Sequence, residues 1–221
     1  LLLFRRGKFA EAGAYFRTAV EALTRRNPNP YDGEPYYNLG LSLRMQARYA
    51  EAVDAFYKAV WNAAWRSPAY FELARLACRR GQFEEALDLL DNALATNTRY
   101  QQARHLQMAV LRRLHREADA RAAVDASLAL DRLDSGAWYE RGLLTGDTTY
   151  RDLMRGYVHN YIELALDYAH AGLFDEAQRV LDEAFELLLA PGIKVQSAEA
   201  RALLASAGAQ VDDDNEVVAI P

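Results

Sequence analysis

Apolar residues recur along most of this chain at intervals of three and four, the spacing that lays one stripe along an α-helix. Between Ser67 and Tyr100 the stripe runs through Tyr70, Leu73, Ala74 and Ala77, stops at Gly81, and resumes through Phe83, Ala86, Leu87, Leu90, Ala93 and Leu94. A glycine just past a helix end takes positive φ without a Cβ penalty, so Gly81 divides two helices. Pro68 is expected near the start of the first, where no amide donor is needed. The small residues Ala74, Ala77 and Ala86 let the helices approach, and Tyr70, Phe83 and Leu90 fill the space left. One such hairpin cannot bury both of its faces and must stack on neighbours.

The pattern repeats. With Ser67 as position 1, the unit has an aromatic at 4, Leu-Ala at 7–8, Gly at 15, Phe at 17, Glu-Ala at 19–20, Leu at 24 and Ala-Leu at 27–28. Copies start at 33, 67, 101 and 135, spaced by 34 each time. Residues 33–66 keep Tyr36, Leu39-Gly40, Tyr49, Glu51-Ala52, Phe56 and Ala59-Val60, with Ala47 at the turn. Residues 101–134 keep Met108, Leu111, Ala120, Val124 and Leu128, with His115 at the turn and Glu117 in place of the aromatic. Residues 1–26 read as the rear of a further copy, through Gly7, Phe9, Glu11-Ala12, Phe16 and Ala19-Val20, followed by a loop to residue 32. A start inside a helix, without methionine, suggests a chain cut from a longer polypeptide.

The period then fails. Residues 135–157 form a degenerate repeat: Trp138, Tyr139 and Gly142 begin a helix, Thr145–Thr149 breaks it, and a short helical piece over Tyr150–Arg155 follows. A clear unit returns at 158–191 with Tyr161, Leu164-Ala165, Tyr168, Gly172, Phe174, Glu176-Ala177, Leu181 and Ala184-Phe185. Insertions in repeat arrays often map to one face, frequently the binding face. In residues 192–210, Ser197 is placed to cap a last helix whose Leu203, Leu204 and Ala207 would pack back on the preceding repeat. The acidic segment 211–221 reads as a disordered tail.

A period of about 34 with these residues at these positions resembles the tetratricopeptide repeat. The resemblance implies an all-α fold, an α-solenoid of stacked antiparallel hairpins coiled into a right-handed superhelix with a concave groove. By the family's pattern, positions 2, 5, 6, 9, 12 and 13 of each first helix line that groove. Among those positions are Tyr37, Asn38 and Arg44, then Phe71, Arg75 and Arg79, then His105 and Arg112, and Tyr139. Aromatics mixed with arginines suit a protein or peptide partner carrying acidic and apolar residues. One sub-family grips a peptide C-terminus with a lysine and asparagine clamp. Asn38 meets part of that pattern, but Leu1, Pro68 and Glu72 occupy its other positions. The segments around Tyr36 (YYNLGLSLR) and Asn160 (NYIELALDYAHAGLFDEA) also resemble arrays that follow a β-rich domain in bacterial carbohydrate-associated proteins. That likeness implies a second reading, a non-catalytic accessory array of a larger enzyme.

Composition narrows the classes. Net charge is −5 with a pI near 5.5, and no basic nucleic-acid footprint is present. Only Lys8, Lys58 and Lys194 are lysines among 26 basic residues, so the cationic surface is almost all arginine. Cys78 is the single cysteine and excludes an intramolecular disulfide. No apolar run approaches the ~20 residues of a membrane span, and Leu1–Phe4 followed by Arg5-Arg6 reverses the order of a signal peptide. A cytoplasmic protein without membrane contact is expected. His159, Glu163 and His170 share a helical stripe flanked by Asp167, but no cysteine cluster or second histidine pair supports a metal site. No metal, cofactor or catalytic residue is assigned. Homo-oligomerisation remains a further expectation, through open solenoid ends or through Asp212–Asp214 docking on Arg75, Arg79 and Arg112.

Overall fold

The computed structural model describes residues 1–25, 27, 32–154, 157–189 and 192–220. Two compact units divide the chain, Leu1–Leu130 and Asp131–Pro221. Of the expected loop after the first partial repeat, residues 28–31 lie outside the described residues, as do Arg155 and Pro191.

The first unit is a succession of helical hairpins: α1 (Leu2–Arg5) with α2 (Phe9–Thr24), α3 (Glu34–Met45) with α4 (Tyr49–Ala59), α5 (Ala63–Arg79) with α6 (Phe83–Thr96), and α7 (Gln101–Arg113) with α8 (Glu117–Leu130). The second helices of the last three hairpins begin 34 residues apart, at Tyr49, Phe83 and Glu117. One turn closes each hairpin. Its left-handed residue is Gly7, Ala47, Gly81 or His115, with φ between 57° and 75°. The next amide reaches back to the helix it leaves: Lys8 N to Leu3 O, Arg48 N to Leu43 O, Gln82 N to Ala77 O and Arg116 N to Leu111 O, each at 3.0 Å. This bond satisfies a carbonyl that the helix end would otherwise orphan.

Close packing follows from the small positions. Ala12, Ala52, Ala86 and Ala120 recur at the same place in each second helix and are all buried. Gly40 lies under the ring of Phe56, where an added Cβ would come within 2.6 Å of the ring. One element differs from expectation. Helix α5 begins at Ala63, with the Asn62 carboxamide accepting from Ala64 N at 3.0 Å, so Pro68 lies inside the helix. Pro68 withholds one helical bond there, while the neighbouring Ser67 hydroxyl donates to Ala93 O at 2.9 Å and fastens α5 to the end of α6.

The second unit opens with α9 (Ser135–Thr145), capped by the Asp134 carboxylate on Ala137 N, and a short α10 (Thr149–Met154). Gly142 sits against the ring of Tyr150 as Gly40 sits against Phe56, with 2.9 Å to an added Cβ. The irregular segment is therefore a hairpin whose second helix is cut short. Helices α11 (Val158–His170) and α12 (Phe174–Leu189) form a full hairpin, with Gly172 at the left-handed turn.

The end of the chain corrects two expectations. Residues 211–220 are not a disordered tail. Strands β1 (Ile193–Lys194), β2 (Gln210–Asp212) and β3 (Val217–Ala219) form an antiparallel sheet in the order β1-β3-β2. Val218 is fully buried and Ile220 N donates to Leu188 O at 2.9 Å. The acidic run is the turn between two strands: the Asp212 carboxylate accepts from Asn215 N and Nδ2, and Asp213 receives Arg201 Nε at 2.7 Å. Asp and Asn are turn formers, so a run of them between valines marks a hairpin. Helix α13 (Ala198–Ser206), capped by Ser197, packs against β2 and leaves Leu203 72% exposed, so Leu203 does not pack back on the repeat. No described helix is long and apolar enough to cross a membrane.

The turn geometry carries a prediction. A non-glycine residue in the left-handed region costs roughly 1–2 kcal/mol. Ala47→Gly and His115→Gly should each stabilise the chain by ~1 kcal/mol, read as an upward shift of the urea midpoint. A downward shift in both would mean that these turns are not left-handed in solution.

Candidate functional site

The first helices of the initial unit, α3, α5 and α7, carry eight of the nine residues expected to line a groove. The structure joins four of them, Tyr37, Arg44, Phe71 and Arg75, in one interlocked cluster. Tyr37 on α3 lies 4.9 Å from the ring of Trp65 and 5.7 Å from Phe56. Phe71 on α5 packs on Tyr100 at 4.8 Å, and the Arg75 guanidinium covers its ring at 4.2 Å. Between α3 and α5 stands Glu72. Its carboxylate accepts from Arg75 Nη1 at 3.1 Å on one oxygen, while the other lies 3.3 Å from Arg44 Nε as an ion pair without hydrogen-bond geometry. The Glu72 side chain is only 5% exposed, so these are buried charges. Tyr37 shares this environment: burial, and then the Glu72 and Tyr100 charges, push its hydroxyl pKa up, with Arg75 and Arg44 opposing.

The residues at these positions differ in exposure. Asn38, Phe71, Arg75 and His105 are buried, Tyr37, Arg44 and Arg112 are half-buried, and Arg79 is exposed. Arg75 already holds a carboxylate of its own chain and does not stand available to an acidic partner. The decisive residue, Glu72, carried a sequence signal in its i, i+3 spacing to Arg75. Its second partner, Arg44, lies one repeat earlier and is visible only once the helices are stacked.

Arginines also join successive hairpins. The Arg79 guanidinium lies 5.0 Å from the ring of Tyr49, and Arg113 lies 5.9 Å from that of Phe83. In both cases position 13 of one repeat meets position 17 of the repeat before, so the contact recurs with the 34-residue period. Such cation–π contacts are worth ~0.5–1 kcal/mol at exposed sites.

Tyr139, the ninth residue, belongs to the core of the second unit. Its ring meets Tyr150 at 5.2 Å, and its buried hydroxyl has no hydrogen-bond partner among the described residues. Around it, Tyr168 donates to the fully buried Glu140, and Tyr150 donates to Glu183 at 2.7 Å. The Tyr161 hydroxyl is pushed up to about 12, by burial first and then by the charges of Glu183 and Tyr150.

Residues 1–60 match the tetratricopeptide repeat family. Over that stretch the chain is similar to tetratricopeptide repeats. Solved structures carry the likeness along most of the length. YrrB, described as a tetratricopeptide protein with an unusual peptide-binding site, is 19% identical over 87% of this chain and 97% of its own, with a TM-score of 0.52. The MamA protein is 20% identical over 84% and 86%, with a TM-score of 0.50. A Podosopora anserina kinesin light chain protein with nearly identical tetratricopeptide-like repeats is 19% identical over 84% and 89%, also at 0.50. At this identity the likeness is one of fold.

The remaining candidates for chemistry are scattered. Cys78 is buried in α5. His159 meets Glu163 at 3.1 Å on an exposed face of α11. Among the described residues, no group of three or more His, Cys, Asp or Glu side chains is arranged to hold a metal ion.

Two measurements follow from the buried charges and hydroxyls. Removing one partner of a buried ion pair typically costs about 3–5 kcal/mol. Glu72→Gln, which leaves two guanidiniums against a neutral amide, should lose about that much in urea unfolding. A loss below 1 kcal/mol would mean that solvent reaches the cluster. Tyr161 is held neutral in the fold, so its contribution is complete below pH 10 and is lost as pH rises from 10 towards about 12. The melting temperature should fall through that window, and Tyr161→Phe should make the fall shallower. An unchanged slope would remove Tyr161 from the alkaline transition.

Proposed function

We propose that this chain is a non-catalytic protein-interaction scaffold. It holds an extended segment of a partner protein along the α3, α5 and α7 face of its first unit. The observation that carries the reading is the preset wall. Tyr37 is packed on Trp65 and Phe71 on Tyr100, and Glu72 pairs with Arg75 of its own helix and Arg44 of the repeat before. A surface ordered before binding loses little side-chain freedom on association. The face balances aromatic rings with arginines, exposed Arg79 and half-buried Arg112 among them. A partner segment with acidic and apolar residues complements that balance. The peptide-binding site named for YrrB, a protein of the same fold, supports the same class of ligand.

Full-length chain is immobilised and used to capture partners, alongside Arg79→Glu combined with Arg112→Glu. These two positions are chosen because Arg44 and Arg75 are part of the buried cluster. The wild type should retain a partner that the double variant loses by about tenfold or more. Urea unfolding of the double variant is measured alongside, so that lost capture is separated from lost fold. Undiminished capture by the double variant would overturn the wall as the binding surface.

A further inference from the structure

A second concavity lies where the ends of α4 and α6 meet the front half of α5. It has a volume of about 630 Å³ and is lined chiefly by Tyr57, Trp61, Arg66, Tyr70, Asn92 and Thr96. Its origin is the early start of α5. Because that helix begins at Ala63 and α4 ends at Ala59, only three residues connect them, and Trp61 is displayed on this connection, 83% exposed. Trp65, four residues on, packs instead on Tyr37. Tyr57 is likewise 42% exposed. Large aromatic rings left in water around a concavity mark interaction sites.

The charge of the pocket differs from that of the wall. On the wall, Arg44 and Arg75 share Glu72. In the pocket, Arg66 Nε donates to Val60 O at 3.1 Å, which fixes the guanidinium beside the turn. Its terminal nitrogens meet no carboxylate among the described residues, and no acidic side chain lines the cavity. Glu85, whose charge reaches Tyr57, is engaged by Arg80 at 3.4 Å. Asn92 spends its Nδ2 on Asp88 O, which leaves its Oδ1 to accept from an amide. The pocket therefore offers a forked cation, aromatic walls and an acceptor for a backbone N–H.

We infer that this pocket is a second docking site, for a peptide segment of a partner protein that presents a carboxylate next to an apolar side chain. The carboxylate forks onto Arg66, a geometry guanidinium favours. The apolar side chain lies against Trp61 between Tyr57 and Tyr70, and a peptide amide donates to Asn92. The inference is independent of the wall, since none of these side chains belongs to the Tyr37, Glu72 and Arg75 cluster.

The test uses the full chain and the capped pentapeptide Gly-Leu-Asp-Phe-Gly, with its Asn counterpart as the neutral control. Binding is read from the indole N–H resonance of Trp61 in a ¹H–¹⁵N spectrum. The Asp peptide should shift that resonance saturably, and the Asn peptide should bind about tenfold more weakly. Arg66→Gln should abolish the difference between the two peptides, and Trp61→Ala, followed through the Asn92 side-chain amide resonances, should weaken both. The wall variant Arg79→Glu with Arg112→Glu should bind the Asp peptide as wild type does. The inference is overturned if neither peptide shifts Trp61 at millimolar concentration, if both bind equally, or if Arg66→Gln changes nothing. Binding that leaves Trp61 unmoved and is lost in the wall variant would remove the pocket and leave the wall reading standing.

Discussion

Among the described residues, each helical hairpin except α9–α10 is closed by a residue held at positive φ and by an amide that reaches back over five residues to the helix it has left. That turn fixes how the second helix crosses the first. Once the crossing is fixed, the small residue at each second helix, Ala12, Ala52, Ala86 or Ala120, must lie in the contact. The stacking of hairpins then follows, because each buries on its neighbour the face it cannot bury alone. Ala47 and His115 take the left-handed conformation without glycine's freedom. The surrounding packing is strong enough to hold them there.

Stacking places charges that are far apart in sequence beside each other. Arg44, Glu72 and Arg75 come together only because α3 and α5 are adjacent first helices. Burying three charges is expensive, and a buried ion cluster is weak evidence of net stability. Its consequence here is registry. A shift of α5 against α3 would leave a buried guanidinium unmatched, so the cluster penalises any stacking but one. It also changes which arginines can serve a partner. Those on the wall are largely committed to the fold, whereas Arg66 is held by a backbone carbonyl and keeps its outer nitrogens toward the pocket.

Periodicity made the architecture readable because it depends on residues that recur: the turn position, the small position and the aromatic at 17. In the irregular segment, Gly142 against Tyr150 repeats the relation of Gly40 to Phe56. The site was less legible. Position in a repeat says which way a side chain leaves its helix, but not whether a neighbour closes over it. Arg75 and Tyr139 occupy positions expected to line a groove and are buried for different reasons, one by Glu72 and Phe71, the other by Tyr150. Trp61 and Arg66 escaped notice because their pocket exists only if α5 starts before Pro68. A proline ordinarily argues for a start closer to itself.

The end of the chain shows the same limit from the other side. A last hairpin leaves one face of α12 to be covered, and a helix was the expected cover. Helix α13 has the sequence of a helix, including its Ser197 cap, but only nine residues and little apolar surface on any one side. It turns Leu203 outward and spends Arg201 on Asp213 and on the carbonyls of Val195 and Gln196. That arrangement holds the strand turn rather than the repeat. The burial falls to β3, whose Val218 is fully enclosed and whose neighbour Ile220 bonds to Leu188 at the end of α12. A three-residue strand does this because it is paired on both edges, by β1 and β2, and so carries no unmet backbone into the contact. The acidic turn is what makes the pairing possible, since its carboxylates point to solvent and to Arg201 while the valines on either side turn inward.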